Sequence, residues 1–168
     1  NEEYVIIDTA GIRKRGKIYE NIEKYSLIRS LRAIDRSDVC LLILDYIDGI
    51  KEHDKHILSY ALEKGKGIVI IVNKYDESNE EKKKEFIKLI RNEFQFVPYA
   101  NIVFVSALNK SRINLIMPEV LRAYDSTTKR IPTSVLNEII NEAYNLNLPP
   151  SYKGKRLKIY YVACEDIK

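Results

Sequence analysis

The most constraining feature of this chain is a run of apolar, β-branched residues at Ile68–Val72. Such a run predicts a strand buried on both faces, which is typical of a parallel sheet covered by helices on two sides. A polar quartet, Asn73-Lys74-Tyr75-Asp76, follows it directly. In open α/β sheets, ligands bind just outside the carboxyl ends of the strands. The quartet is therefore a candidate binding loop, although a charged turn leading into a helix explains it equally well.

Strand-like and helix-like segments alternate along residues 1–128. Apolar runs predict strands, and apolar residues spaced three or four apart predict helices. The other predicted strands are Tyr4–Ile7, Val39–Leu44 and Ile102–Val105, and the predicted helices begin near Glu23, Asp54, Glu80 and Ile113. Asp54 is the predicted N-cap of its helix. Pro118 predicts a break or kink in the last helix, or the first position of a restarted helix. This order predicts a doubly wound α/β domain with a mostly parallel sheet.

The composition is that of a folded protein. With 45% hydrophobic and 31% charged residues, the 168-residue chain can bury a core and is not expected to be disordered. Its net charge of +4 is too mild to demand a nucleic-acid partner. No apolar run approaches the ~20 residues of a membrane span. Cys40 and Cys164 each lie in an apolar run, which favours reduced core thiols in a cytosolic protein over a disulfide.

The helical pattern breaks near Ser126–Arg130, which predicts a linker and divides the chain into residues 1–128 and 129–168. The second part predicts a helix at Thr133–Asn145 and a strand at Leu157–Ala163. One helix and one strand cannot bury a core alone. Because the chain begins without Met, inside a strand-like run, we expect it to be an internal segment of a longer protein.

Two further groups of small and polar residues follow predicted strands. They are Asp8-Thr9-Ala10-Gly11, after the first strand, and Ser106-Ala107-Leu108, after the last. A small-residue turn at a strand end lets backbone N–H groups approach a phosphate, and Asp8 could then face a metal bound to it. The basic segment Ile12–Lys17 predicts a loop that is either solvated or in contact with nucleic acid.

In this order, the three groups closely resemble the third, fourth and fifth G-boxes of translation-factor-class GTPases. Asp8–Lys17, Gly65–Val69 and Pro149–Tyr161 narrow the resemblance to the bacterial double-GTPase family Der, also called EngA. Essentially the whole chain resembles the second GTPase domain of that family and the start of its KH-like domain. The resemblance implies a P-loop NTPase-type, doubly wound, mostly parallel sheet, with its first strands and phosphate loop missing here, followed by the start of an α+β KH-like domain.

For function, the resemblance implies a cytoplasmic protein that binds and hydrolyses GTP in support of large ribosomal subunit assembly. The implied bound groups are GTP or GDP, Mg²⁺ and K⁺. The implied partners are the large subunit, through its RNA and proteins, and a preceding GTPase domain in the same chain. Two alternatives stay open: a ribosome-associated GTPase of the Era or MnmE type, and a nucleotide-dependent ribosome-docking scaffold with little hydrolysis. An RNA-clamping KH module is disfavoured, because no Gly-x-x-Gly loop is present.

The resemblance also implies which residues would read the base. Asp76 would accept hydrogen bonds from the guanine N1–H and 2-amino group, so adenine would leave its carboxylate unpaired. Asn73 would brace the loop and reach the base edge, and the Lys74 stem would lie along the base face. Ser106 would steady Asp76, and the Ala107 N–H would face the guanine oxygen. Tyr75 and Leu108 complete these two groups.

The phosphate side is assigned to Asp8, Thr9, Ala10, Gly11 and Ile12. Asp8 would hold Mg²⁺ through water, and the Gly11 N–H would meet the γ-phosphate. Ile12 stands where many GTPases place a water-orienting glutamine, so the catalytic group is unknown. Slow turnover, helped by a monovalent cation or a ribosomal partner, is implied.

Three features depart from the pattern. No Gly-x-x-x-x-Gly-Lys-Ser/Thr phosphate loop occurs, so we expect these 168 residues alone to fold poorly and to bind GTP weakly. Asn109-Lys110-Ser111-Arg112 replaces a turn that usually contains glycine, and Pro118 interrupts a helix that is normally continuous. The last two features lie beside the predicted base-binding loop.

Overall fold

The computed structural model describes residues 3–9, 20–76 and 79–164, with residues 20–27 as backbone only. They form two compact units, Asn1–Thr127 and Thr128–Lys168. The helices are α1 (Glu20–Arg36), α2 (Glu52–Glu63), α3 (Glu80–Glu93), α4 (Ile116–Thr128) and α5 (Thr133–Leu146), and the strands are β1 (Val39–Asp45), β2 (Gly67–Asn73) and β3 (Asn101–Phe104). In this part of the chain, no helix is both long enough and apolar enough to cross a membrane.

The three strands form one parallel sheet in the order β1-β2-β3. Val39 pairs with Gly67 at one end of the β1–β2 ladder, and Asp45 pairs with Asn73 at the other. Because parallel neighbours need a crossover, α2 joins β1 to β2 and α3 joins β2 to β3. The predicted α/β fold with a parallel sheet is confirmed.

Both faces of β2 are buried, as its sequence predicts. On one face, Ile68, Ile70 and Val72 belong to a cluster that also holds Leu58 of α2 and Ile90 of α3. On the other face, a smaller cluster is partly covered by residues of α4: Val69, Ile71, Val103 and Val105, with Ile116 and Ala123 packed against them. Helices on both faces hold β2 at the centre of the sheet.

In this unit, one predicted strand is not formed and another is buried less than its apolar sequence suggests. Tyr4–Ile7 forms no strand, and Val5 and Ile6 are 90% and 84% exposed. A strand needs a neighbour for its N–H and C=O groups, and no strand among the described residues pairs with this segment. β1 is well buried on one face only. On the other face, Val39 packs against the cluster that α4 partly covers, but Leu41 and Ile43 are 39% and 62% exposed.

The helices at Glu80 and Thr133 begin where the sequence predicts, whereas the N-cap of α2 and the effect of Pro118 differ from the prediction. α2 begins at Glu52, and Asp54 lies in its first turn, where Asp54 Oδ2 accepts a hydrogen bond from the Lys51 N–H at 2.8 Å. Pro118 does not interrupt α4, and the arrangement is close to the restarted helix that the sequence allowed. A 3₁₀ turn at Ile113–Leu115 passes into α4, and Pro118 lies in the first turn of α4, where the missing N–H costs no helical hydrogen bond.

In the second unit, the predicted strand at Leu157–Ala163 is wrong. The segment has no ladder partner among the described residues and instead bonds to side chains of α5. Asn137 pairs with the Val162 backbone, donating to its C=O at 2.7 Å and accepting from its N–H at 2.9 Å. The Tyr144 hydroxyl donates to the Leu157 C=O at 2.7 Å. A single helix offers no strand edge, so the amide and hydroxyl groups take the place of a ladder.

Both cysteines are free thiols, as predicted, but only Cys40 is a core residue, since Cys164 is partly exposed. Cys40 lies in β1 and is buried, and burial raises the pKa of its thiol to about 11. The Cys40 thiol therefore stays protonated at neutral pH and behaves as a core side chain.

Candidate functional site at the carboxyl ends of the strands

The loops that follow β2 and β3 are joined directly after the strands end. The Tyr75 N–H donates to the Val105 C=O at 3.1 Å, and the Val105 N–H donates to the Val72 C=O at 2.8 Å. The two parallel strands end at the same edge of the sheet, which brings the two predicted groups together. The sequence therefore predicted correctly which end of the sheet gathers these side chains.

Asn73 connects the two loops through its side chain. It is the last residue of β2, and its Oδ1 accepts a hydrogen bond from the Ala107 N–H at 3.0 Å. This bond spans 34 positions in the chain and fixes the spacing between the loops. The bracing role implied for Asn73 matches this contact, whereas the Ala107 N–H points to a protein oxygen.

Asp76 presents an exposed carboxylate at this edge. Asn109 Nδ2 donates to Asp76 Oδ1 at 2.8 Å. The Asn109 N–H donates to Ser106 Oγ at 3.2 Å, and Ser106 itself is only 1% exposed. The steadying contact that the resemblance implies for Ser106 is thus made through Asn109, which sequence reasoning noted only as part of an unusual turn.

Lys74 has a left-handed backbone with a φ of 62°, and its side chain crosses to β1. Lys74 Nζ lies 2.7 Å from Asp45 Oδ2, at the end of β1. The hydrogen bond from Lys74, more than any other contact, holds the pKa of Asp45 below its ordinary value. Sequence reasoning missed Asp45, although it follows an apolar strand just as Asn73 does, and the two pair in register.

Tyr75 belongs to the core. Its side chain is 2% exposed, and its ring makes edge contacts with Tyr46 and Phe104, at centroid distances of 5.2 and 4.9 Å. Its hydroxyl donates to the Asn79 C=O at 3.1 Å. Tyr75 therefore anchors the loop while its neighbours Lys74 and Asp76 face outward.

Arg112 connects the loop after β2 to the last residue of β3. Its Nη2 donates to the Tyr75 C=O at 2.7 Å, and its Nε donates to the Phe104 C=O at 3.0 Å. The guanidinium lies 5.2 Å from the Tyr75 ring centroid. Arg112 has a φ of 60°, a conformation that favours glycine, so the guanidinium contacts offset a backbone cost. The missing glycine in this turn was visible in the sequence, but nothing in the sequence indicated which groups the Arg112 side chain would contact.

Of the phosphate-side residues, only Asp8 and Thr9 lie in the part of the chain that the structure describes. Asp8 and Thr9 are exposed and lie outside any helix or strand, whereas Ala10, Gly11 and Ile12 lie outside the described residues. Leu108 is 87% exposed beside the Asp76 loop. Among the described residues, no three His, Cys, Asp or Glu side chains group as a metal site. Mg²⁺ commonly binds through one or two carboxylates plus substrate phosphates, and Asp8 fits only that mode.

Two family models match the chain. Residues 1–74 match the model described as 50S ribosome-binding GTPase. Residues 130–168 match the model described as the C-terminal KH-domain-like region of EngA bacterial GTPase enzymes. The two matches fall in the first and second units in the order that the sequence predicts.

Curated relatives and a solved structure agree with these matches. GTPase Der of Oceanobacillus iheyensis is 53% identical over 96% of this chain and 37% of its own length. GTPase Der of Alkaliphilus oremlandii is 51% identical over 100% of this chain and 39% of its own length. The chain thus spans less than two fifths of these relatives.

A structure of Era, in complex with MgGDPNP and a segment of 16S ribosomal RNA, shares the fold. Its TM-score is 0.58 at 20% identity, and the match covers 69% of this chain and 38% of that one. At this identity, the likeness concerns the fold alone.

Proposed function

This chain belongs to the Der family of GTPases, and on that premise we propose that it forms the base-recognising part of a GTP-binding and GTP-hydrolysing ribosome assembly factor. The observation that carries the proposal is the paired loop at the ends of β2 and β3. Asn73 joins the loops through Ala107, and an exposed Asp76 carboxylate stands beside them.

The chemistry of this edge favours guanine. A carboxylate has two acceptor oxygens, which match the adjacent N1–H and 2-amino donors of guanine. Adenine presents an acceptor at that ring nitrogen, so it would leave Asp76 desolvated and unpaired. A site built around such donors can reject the analogue that lacks them by several orders of magnitude. Asp76 is therefore proposed as the specificity residue.

Lys74 and Ala107 have secondary roles in the proposal. Because the Lys74 ammonium is held by Asp45, its stem is fixed across the strand ends, where a base could lie against it. The Ala107 N–H is occupied by Asn73, so a contact with the guanine oxygen would require that N–H to be shared. Tyr75 contributes by fixing the loop from the core.

The phosphate side is assigned by resemblance. Asp8 would hold Mg²⁺ through water, and the Gly11 N–H would meet the γ-phosphate. When bound, Mg²⁺ supplies charge neutralisation on the β- and γ-phosphates. Ile12 has no group that could orient a water, so turnover is expected to need K⁺ or a ribosomal partner.

The ribosomal role is proposed from the two family matches, since one is described as 50S ribosome-binding and the other as the KH-like region of EngA. The partner would be the large subunit, through its RNA or proteins. The limited coverage of the Der relatives fits a preceding GTPase domain in the same protein. The site of action would be the cytoplasm.

Ile12 favours one second candidate, a docking scaffold that uses nucleotide to control ribosome binding while hydrolysis contributes little. Measuring ribosome binding with GTP and with a non-hydrolysable analogue separates the two functions. Equal binding and release with both nucleotides would support the scaffold, whereas release that requires hydrolysis would support the GTPase cycle.

The main proposal is tested in the full-length protein by equilibrium binding of GDP, GTP and ATP, together with GTP turnover. We expect guanine selectivity in the wild type and its loss in Asp76→Asn. Asp38→Asn is the matched control, because Asp38 precedes β1 and lies at the opposite end of the sheet. Unchanged GTP-over-ATP selectivity in Asp76→Asn would refute the assignment.

A further inference from the structure

We propose that Asn109 is a specificity-positioning residue that fixes the orientation of the Asp76 carboxylate for its two-donor ligand. This inference rests on the proposed function. The direct contact is the hydrogen bond from Asn109 Nδ2 to Asp76 Oδ1 at 2.8 Å, which joins residues 33 positions apart.

Asn109 is itself held in place. Its N–H donates to Ser106 Oγ at 3.2 Å, and Ser106 is buried. Ser106 and Ser111 close the loop with two reciprocal backbone hydrogen bonds, at 3.1 and 2.9 Å. A continuous set of contacts therefore runs from the buried end of β3, through Ser106 and Asn109, to the exposed carboxylate.

The backbone before Asp76 is fixed from the same turn. Arg112 Nη2 donates to the Tyr75 C=O at 2.7 Å, so residues 109 and 112 hold Asp76 at its side chain and at the preceding peptide. The turn that replaces the usual glycine-containing one thus contributes two contacts to the base loop.

Chemistry explains why an amide suits this role. The terminal torsion of an aspartate is broad, so the side chain alone does not choose the plane of its carboxylate. An ionised carboxylate offers about four lone-pair directions, and one amide donor leaves the others available. A lysine or arginine at this position would bring a positive charge, whereas the neutral amide leaves the charge of Asp76 uncompensated for the ligand. Fixing the plane before binding reduces the ordering cost of binding.

The expected effect is on selectivity. The pair is exposed, so water competes with it in the free protein and its contribution to folding is small. In the bound state, guanine would exclude that water. Both oxygens of the Asp76 carboxylate would then have to lie in the plane of the base to accept its two hydrogen bonds. Comparing GDP with IDP isolates this effect, because inosine keeps the N1–H donor but lacks the 2-amino group.

The test measures GDP and IDP affinity in the full-length protein and its variants. Asn109→Ala is expected to lower the GDP-to-IDP affinity ratio by about 2- to 10-fold, the effect of one hydrogen bond. Asn109→Asp is expected to lower it further, since two like charges would face each other. A purely structural role would weaken GDP and IDP binding equally and leave the ratio unchanged.

Asn101→Ala is the matched control. Asn101 Nδ2 donates to a Glu119 carboxylate oxygen in a similarly exposed pair, at the start of β3 and away from the site. The GDP-to-IDP affinity ratio of Asn101→Ala should stay at the wild-type value. In an Asp76→Asn background, adding Asn109→Ala should leave the ratio unchanged, because Asn109 acts only through Asp76.

The inference is overturned if Asn109→Ala leaves the ratio at the Asn101→Ala value, or lowers it equally in the wild-type and Asp76→Asn backgrounds. These outcomes are separable from failure of the proposed function. If Asp76→Asn removes guanine selectivity while Asn109→Ala does not change the ratio, only the positioning role fails. If the wild type does not prefer guanine nucleotides, the proposed function fails as well.

Discussion

The Ala107 N–H donates to Asn73 Oδ1 at 3.0 Å, and this bond joins the loops that follow two neighbouring parallel strands. Asn73 is half-buried at the end of β2, so its amide is fixed by the strand while its oxygen faces the next loop. The position of the Asp76 carboxylate relative to the β3 loop depends on this contact.

Asn73→Ala should therefore weaken GDP binding more than it weakens the fold. Loss of one neutral hydrogen bond costs about 1 kcal/mol of stability, whereas separation of the loops should lower affinity by about 10-fold or more. Equilibrium binding and thermal unfolding of the full-length protein measure the two effects. A loss of affinity no larger than that of Asn101→Ala would contradict the bracing role.

Substitutions at Tyr75 should affect stability first. Tyr75→Ala removes a buried ring and is expected to destabilise the domain by about 3–5 kcal/mol. Tyr75→Phe loses the hydroxyl contact with the Asn79 carbonyl, which should cost about 1 kcal/mol, and should keep guanine affinity. Tyr99→Ala is the control, because Tyr99 is 61% exposed and its loss should change stability little. Denaturant unfolding distinguishes these cases, and selective loss of binding in Tyr75→Phe would instead indicate ligand contact by the hydroxyl.

The left-handed backbone of Arg112 predicts an unusual order of stabilities. Arg112→Gly and Arg112→Ala both lose the guanidinium contacts, but alanine keeps the conformational cost at a φ of 60°. The glycine variant should therefore be more stable than the alanine variant by about 1 kcal/mol.

Arg122 provides the control for that order, because it lies inside α4. There the order should reverse, with alanine more stable than glycine by about 1 kcal/mol. Thermal unfolding of the four variants checks both orders. A preference for alanine at both positions would contradict a left-handed backbone at residue 112.

The Asp45–Lys74 pair predicts a pH dependence of stability. Because the hydrogen bond from Lys74 lowers the pKa of Asp45 in the folded state, the stabilisation is fully present above the ordinary aspartate pKa of about 3.9. It is lost as the pH falls through the lowered folded-state pKa. Asp45→Asn should thus reduce the drop in thermal midpoint between about pH 6 and about pH 3, compared with the wild type.

Asp38→Asn serves as the control for this prediction, since Asp38 lies before β1 and away from Lys74. Lys74→Met should change the acid dependence in the same direction but by less, because the backbone hydrogen bonds from Ile47 and Asp48 would still lower the Asp45 pKa. An acid dependence that is unchanged in both variants would show that the ion pair contributes nothing to stability.

Several features were predictable because their determinants are close in the sequence. Ile68–Val72 has apolar residues on both strand faces, so its burial in the centre of the sheet could be predicted without knowing which helices cover it. Asn73 to Asp76 follow it directly and therefore had to lie at its carboxyl end. The parallel order followed from the helices between the strands, since such strands cannot be joined by a tight turn.

Other features were decided only by tertiary structure. Tyr4–Ile7 and Leu157–Ala163 read as strands, but a strand exists only where a neighbour pairs with it, and neither segment has such a neighbour among the described residues. The contacts of Asp76 with Asn109 and of Arg112 with the Tyr75 carbonyl join positions more than thirty residues apart. Sequence alone thus determined which residues stand at the edge of the sheet, because strand period and order are local properties. The folded structure decided which of them hold one another, because those contacts depend on how neighbouring loops pack.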